Sequence, residues 1–150
     1  MGLFRVYKSS AGSGKTYTLV KEYLKIVISD PRAMKHILAI TFTNAAAAEM
    51  KERIIHELDG ISRLKDNLTQ EITKISAPQQ KSLKLLREIL SEIQAEEKGR
   101  LTESQAVDNA RLVLQQILHA YADFSVSTID SFVARIIRSF AFDLYLPMKF

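Results

Sequence analysis

No residue of this sequence is a cysteine. That absence excludes a disulfide scaffold, a cysteine-ligated zinc or iron–sulfur centre and a cysteine nucleophile. Histidine is scarce as well: His36, His56 and His119 lie far apart and show no metal-ligand spacing. No apolar run approaches the roughly 20 residues that cross a bilayer. The opening MGLFRVYKSSAGSGKT lacks the apolar stretch of a signal peptide, and MGLFRV lacks the hydroxyl residue that ends a myristoylation signal. A cytoplasmic protein with no membrane partner is the expectation. Charge of one sign is nearly balanced out. The 21 Lys and Arg against 17 Asp and Glu leave a net charge of +4, spread from Arg5 to Lys149. So mild a basic bias fits nucleic acid and equally fits a solvated surface. What the chain does have is apolar content: 47% of its 150 residues are hydrophobic and 25% charged, enough for one domain with a real core.

The apolar pattern opens as alternating strands and helices. Leu3–Tyr7 reads as a short strand, and Lys8–Lys15 as a small-residue loop. Thr16–Ser29 reads as a helix with Leu19, Val20, Tyr23, Leu24 and Val27 on one face, ended by Asp30-Pro31. His36–Phe42 is an apolar, β-rich run that suits a buried parallel strand. Thr43 and Asn44 offer capping oxygens ahead of an alanine-rich helix, Ala45–Leu58. A different region begins at Gly60. Apolar residues repeat at three and four positions over Ile61–Ile75, Leu83–Ile93 and Val107–Tyr121, with breaks at Ala77-Pro78 and Lys98-Gly99-Arg100. These three helices read as an insertion packed on itself, or as a seam for a partner helix. Asp123–Thr128 turns β-like again. Ile129–Leu144 follows as a helix with Phe132, Val133, Ile136, Ile137, Phe140 and Ala141 apolar. Two or three strands are few for an α/β sheet, so a piece of a longer protein is expected.

The sharpest signal is Ser9-Ser10-Ala11-Gly12-Ser13-Gly14-Lys15-Thr16. Small residues let a backbone wrap phosphate oxygens closely, with N–H groups pointing inward and a helix N-terminus behind them. Lys15 would reach the β- and γ-phosphates of a nucleotide, and the Thr16 hydroxyl would bind Mg²⁺. Gly12 would permit close approach, and Gly14 a conformation that a Cβ hinders. Serine stands at position 9 where the full pattern has its first glycine. Hydrolysis needs a second part, an acid at a strand end that holds Mg²⁺ through water. His36–Phe42 runs into Thr-Asn instead. Val126–Asp130 reaches an acid only after Ser127 and Thr128 interrupt the apolar run. The Mg²⁺-holding acid is therefore read as absent.

Three segments in order, SSAGSGKTYTLV, AITFTNAAAAEMKERI and FSVSTIDSFVARIIRSFAFDLYLP, resemble the N-terminal ATPase core of superfamily 1A helicases. The loop and the last segment are most similar to the RecB/AddA branch, helicase–nucleases of DNA-end processing, recombination and repair; UvrD-type helicases come next. The resemblance covers about 80 residues and leaves the helical stretch unmatched. It implies ATP and Mg²⁺ as cofactors, and it assigns Thr41-Phe42-Thr43-Asn44 to a motif that touches single-stranded DNA. Phe42 would stack on a base, and Thr43 and Asn44 would contact phosphate. It assigns Ser127–Phe132 to the next DNA-contacting motif, with Thr128 and Ser131 as contacts. Many relatives carry His where Asp130 stands. A carboxylate repels phosphate, so Asp130 is expected to cap the helix. Lys51 and Arg53 are expected to be solvated. Plain structural roles stay open for all of these: core for Phe42, helix caps for Thr43, Asn44, Thr128 and Ser131.

Departures qualify the likeness. The family's adenine-reading glutamine has no counterpart in LFRVYK, and the Asp-Glu motif, the arginine finger, the second RecA-like domain and any nuclease domain lie outside this sequence. The reading is an α/β fold: a partial parallel sheet of the P-loop, RecA-like type with a helical insertion. Residues 1–58 open the ATP-binding core, 59–121 form the insertion and 122–150 return to the core. The expected function is the N-terminal ATP-binding fragment of an ATP-dependent DNA helicase, inactive alone. Its partners would be single-stranded or end-bearing duplex DNA, the remaining helicase domains and a second helicase–nuclease subunit. A P-loop enzyme of another kind, such as a small-molecule kinase, and an interaction domain with a vestigial loop are the alternatives. A kinase has no need of TFTN-AAAAEM after its second strand.

Overall fold

Residues 14–64, 76–96 and 100–141 are described by a computed structural model. Helix α1 spans Lys15–Ser29 and stops at Asp30, whose carboxylate accepts from the Arg32 amide and starts a 3-10 turn at Pro31–His36. The buried face of α1 is Val20, Tyr23, Leu24, Val27 and Ile28; Leu19, read as a core position, is 48% exposed. Strand β1 is only Ala39–Thr41. Helix α2 covers Asn44–Ser62 and is capped by the Thr43 hydroxyl, which accepts from the Ala46 amide at 3.1 Å. It runs straight through Gly60, where the change of region was expected. Gly60 is needed there for closeness: a Cβ would collide with the Ser82 hydroxyl of the next helix.

Helix α3, Ala77–Ala95, starts with Pro78 in its first turn, and the Ser76 amide donates to the Gln79 side chain at 3.3 Å. Helix α4, Glu103–His119, has a reciprocal box: the Gln105 amide donates to Thr102 Oγ1, and the Thr102 amide to Gln105 Oε1. A 3-10 turn at Tyr121–Asp123 leads into β2, Val126–Thr128, and then α5, Ile129–Ala141. The expected first strand, Leu3–Tyr7, and the helix over residues 65–75 lie outside the described residues.

The two strands pair in parallel, with Ala39 opposite Val126, Ile40 opposite Ser127 and Thr41 opposite Thr128. Helices α2, α3 and α4 make the crossover between them, as parallel pairing requires. Val126 joins the core, whereas Ile40 is 39% exposed on the opposite face. The run read as a buried strand is therefore short and half-covered.

The intervening helices do not form a separate body. Leu83, Leu86 and Ile89 of α3 and Val107, Ala110 and Val113 of α4 share one core with Leu24 and Ile28 of α1 and Ile54, Leu58 and Ile61 of α2. Two side chains of α4 also satisfy carbonyls at the ends of other helices. Asn109 donates to Ile28 O at 2.7 Å, and Arg111 to Ser62 O at 2.9 Å. Polar ties join α1 to α3. Lys21 Nζ lies 2.8 Å from both Glu88 and Glu92. Lys25, 2% exposed, lies 2.8 Å from Glu22 and Glu96 and 3.3 Å from Glu92. Burial disfavours the Lys25 ammonium, but hydrogen bonds from its carboxylate ring outweigh that and raise its pKa. Tyr23 packs edge-on to Phe124 at 5.8 Å, and burial pushes its phenol up to about 12.

Candidate functional site

Gly14 holds the start of α1 in the left-handed region, with φ of 81° and ψ of 21°. Nothing lies within 4 Å of where its Cβ would be, so the demand for glycine comes from the backbone angle, not from crowding. No side chain caps this N-terminus and no acid sits in its first turn. The amides that a helix normally leaves unsatisfied are therefore unclaimed by described side chains. Lys15 is exposed and Thr16 half-exposed in that first turn. Behind them α1 is fixed by α3, through the Lys21 and Lys25 pairs and a 3.3 Å bond from the Tyr17 hydroxyl to Glu88. Ser9, Ser10, Ala11, Gly12 and Ser13 lie outside the described residues.

The second group gathers at the C-terminal ends of the two strands, the edge where parallel α/β sheets place their ligands. Thr41 and Thr128 are register partners. Phe42 follows β1 and is 87% exposed, so it is not a core residue. The Thr41 hydroxyl donates to Thr43 O at 3.0 Å, which folds the chain into the cap of α2. Thr128, 6% exposed, caps α5: its hydroxyl accepts from the Ser131 amide at 3.2 Å and donates to Ser131 Oγ at 2.8 Å. The cap is thus Thr128, where Asp130 was expected; Asp130 sits in the first turn, where its charge complements the helix dipole. Asn44, Lys51, Glu52, Ser127, Thr128 and Ser131 line a cleft between α2 and the start of α5.

Two features of this cleft were not read from the sequence. The Lys51 ammonium lies 5.0 Å from the centre of the Tyr121 ring and 5.9 Å from that of Phe124, a cation–π site in place of the solvated position expected. Its position one turn into α2 gave no hint of this, because Tyr121 is 70 residues away in the chain. Arg53, by contrast, pairs with Glu49 at 2.7 Å on the helix surface. The Ser127 hydroxyl is buried without a hydrogen-bond partner among the described residues. No described hydrogen bond joins Gly14–Thr16 to the strand-end group. Among the described residues no group of His, Asp and Glu is arranged to hold a metal ion, and no helix is long and apolar enough to cross a membrane.

A glycine-started helix, a parallel β–helices–β crossover and a polar cleft at the strand ends define a chain built like part of an α/β ligand-binding domain. Sequence comparison makes the class specific: the chain belongs to the UvrD/REP helicase N-terminal domain family, whose model matches residues 6–150. Its curated relatives are A subunits of ATP-dependent helicase/nucleases. It is 34% identical over 142 residues to the protein of that name from Lactobacillus acidophilus, covering 95% of this chain and 8% of that protein. It is 42% identical over 74 residues to the Clostridium beijerinckii protein of the same name, covering 45% of this chain and 6% of the relative. With the Clostridium novyi protein it shares 52% identity over 48 residues, 31% of this chain and 4% of that one. The chain thus spans less than a tenth of the length of these curated relatives. No solved structure gives a significant match.

Proposed function

We propose that the chain is the ATP-binding and strand-gripping part of an ATP-dependent DNA helicase of the helicase–nuclease kind. Residues 9–16 take the triphosphate. Gly14 turns the backbone, Lys15 neutralises the β- and γ-phosphates, and Thr16 offers its hydroxyl to Mg²⁺. The described part of the site fits such a group: a positive φ at Gly14, an uncapped helix N-terminus, and no acid in the first turn to compete with phosphate. Bound Mg·ATP supplies a phosphoryl bond whose cleavage can drive movement; the acid and second domain that catalyse this belong to other parts of the parent protein. DNA, the remaining helicase domains and a second helicase–nuclease subunit are the partners of that parent.

At the strand ends, Phe42 stacks on a base, while Asn44 and Ser131 face phosphate. Thr41, Thr43 and Thr128 act through the backbone, holding the two helix starts in place. The observation that carries this reading is Phe42: a phenyl ring 87% exposed beside a capped helix N-terminus is costly for an isolated fold and useful for stacking on a base. Fluorescence anisotropy with a labelled single-stranded oligonucleotide tests it. Phe42→Ala should weaken binding about tenfold, the loss of one stacked base. Equal affinity in both proteins contradicts the reading.

A further inference from the structure

A second polar cleft lies farther along α5. Ser127, Ser131, Arg135, Arg138 and Ser139 line it. Each of these brings a hydroxyl or a guanidinium, and no carboxylate lines the cleft. Its arginines differ from most others in the chain. Arg32, Arg53, Arg63, Arg87 and Arg111 each lie within 4.0 Å of an Asp or Glu. Arg135 and Arg138 have no carboxylate partner among the described residues; the Arg135 guanidinium instead lies 5.9 Å from the Phe132 ring centre. Two exposed guanidinium groups free of acids, among hydroxyls, are a surface for an anion.

The cleft has a direction. Ser127 and Ser131 line both this cleft and the one at the strand ends, so the two are continuous. The partnerless Ser127 hydroxyl sits at their junction, where a buried polar group would ordinarily be satisfied. Ser131, Arg135, Arg138 and Ser139 fall at i, i+4, i+7 and i+8 and share one face of α5. Ile129, Val133, Ile136 and Phe140 occupy the opposite face. Ser131 to Arg138 covers about 10 Å of helix axis. A nucleic-acid strand carries a phosphate about every 3.4 Å of duplex axis, so this polar face has room for successive phosphates of one backbone.

We infer that the serine–arginine face of α5 holds the sugar–phosphate backbone of the strand that passes the β1 and β2 ends, with Arg135 and Arg138 each on a phosphate. The inference rests on the strand-gripping reading above and extends it: it gives the strand a path from Asn44, past Ser131, along α5. Because the contacts are to phosphate, they add affinity without base preference.

The test is the salt dependence of binding by the full chain to a labelled oligo-dT of about 16 nucleotides, the upper end of a single-strand site. Each phosphate contact contributes about 0.7 to the slope of log affinity against log salt. The double variant Arg135→Gln/Arg138→Gln should therefore flatten the slope by about 1.4 and weaken binding about tenfold or more at low salt. Arg135→Lys/Arg138→Lys keeps both charges and should keep most of the slope. An unchanged slope in the glutamine variant, with wild-type binding intact and still sensitive to Phe42→Ala, overturns this inference and leaves the strand-gripping reading standing. If the wild-type chain binds no oligonucleotide, both fall together.

Discussion

The helices α1 to α4 and the unit of β1, β2 and α5 use similar apolar patterns and reach opposite ends. In the first region Leu24, Ile28, Ile54, Leu58, Leu86 and Ile89 are all fully buried, and even Lys25 is taken out of water by a ring of carboxylates. In the second, Ile40, Phe42, Val133, Ile136, Ile137 and Phe140 are between 39% and 87% exposed. Periodicity states which face of an element is apolar; it does not state what covers that face. The helical region covers its own apolar faces and can serve as a fixed support behind Gly14 and Lys15. The strand-end region presents surface instead, as a region made to hold something should.

That contrast can be broken by substitution, with urea denaturation as the measure. Leu86→Ala should cost the most, about 2–5 kcal/mol, because it opens a cavity where all four helices meet. Lys25→Ala comes next, at about 3 kcal/mol, since it removes the ammonium that Glu22, Glu92 and Glu96 converge on. The same network gives the stability a pH signature. Hydrogen bonds from Lys21, with Lys25 adding to them against some burial, hold the Glu92 carboxylate below its ordinary range. A depressed folded pKa stabilises above the unfolded value, about 4.3, and that contribution is lost as pH falls through the folded value. Glu92→Gln should thus be destabilised near neutral pH and converge with wild type in acid; a constant gap would mean that charge is not the cause. Thr43→Ala, a lost helix cap in the second region, should cost about 1 kcal/mol. Ile136→Ala should be the smallest change, within about 0.5 kcal/mol. A cost near that of Leu86→Ala would show that the apolar face of α5 is covered in solution.

Much of this was legible from residues alone, and the gaps have physical causes. The helices were readable because apolar spacing and caps act locally: Thr43, Pro78 and Thr102 mark starts that the structure keeps. Gly14 was readable as a turn glycine, although the reason proved to be its positive φ in open space. The family was readable from three short segments. The packing of α3 and α4 onto α1 and α2 was not, because an amphipathic stripe does not name its partner. Lys25 looked like any surface lysine in a helix; only the approach of α3 makes it a buried one. The exchange of cap roles between Thr128 and Asp130 turned on a single residue of register at a helix start, which pattern reading resolves poorly. The phosphate loop over Ser9–Ser13 and the strand at Leu3–Tyr7 remain proposals of the sequence.

Calorimetric titration of the chain with Mg·ATP, beside Lys15→Ala, tests the central claim most directly. Saturable binding by the wild-type chain that disappears in Lys15→Ala is the result expected if residues 9–16 form a phosphate site on the support of α1. Binding of equal strength in both proteins would place the nucleotide elsewhere, and no binding in either would contradict a phosphate site preformed in this chain.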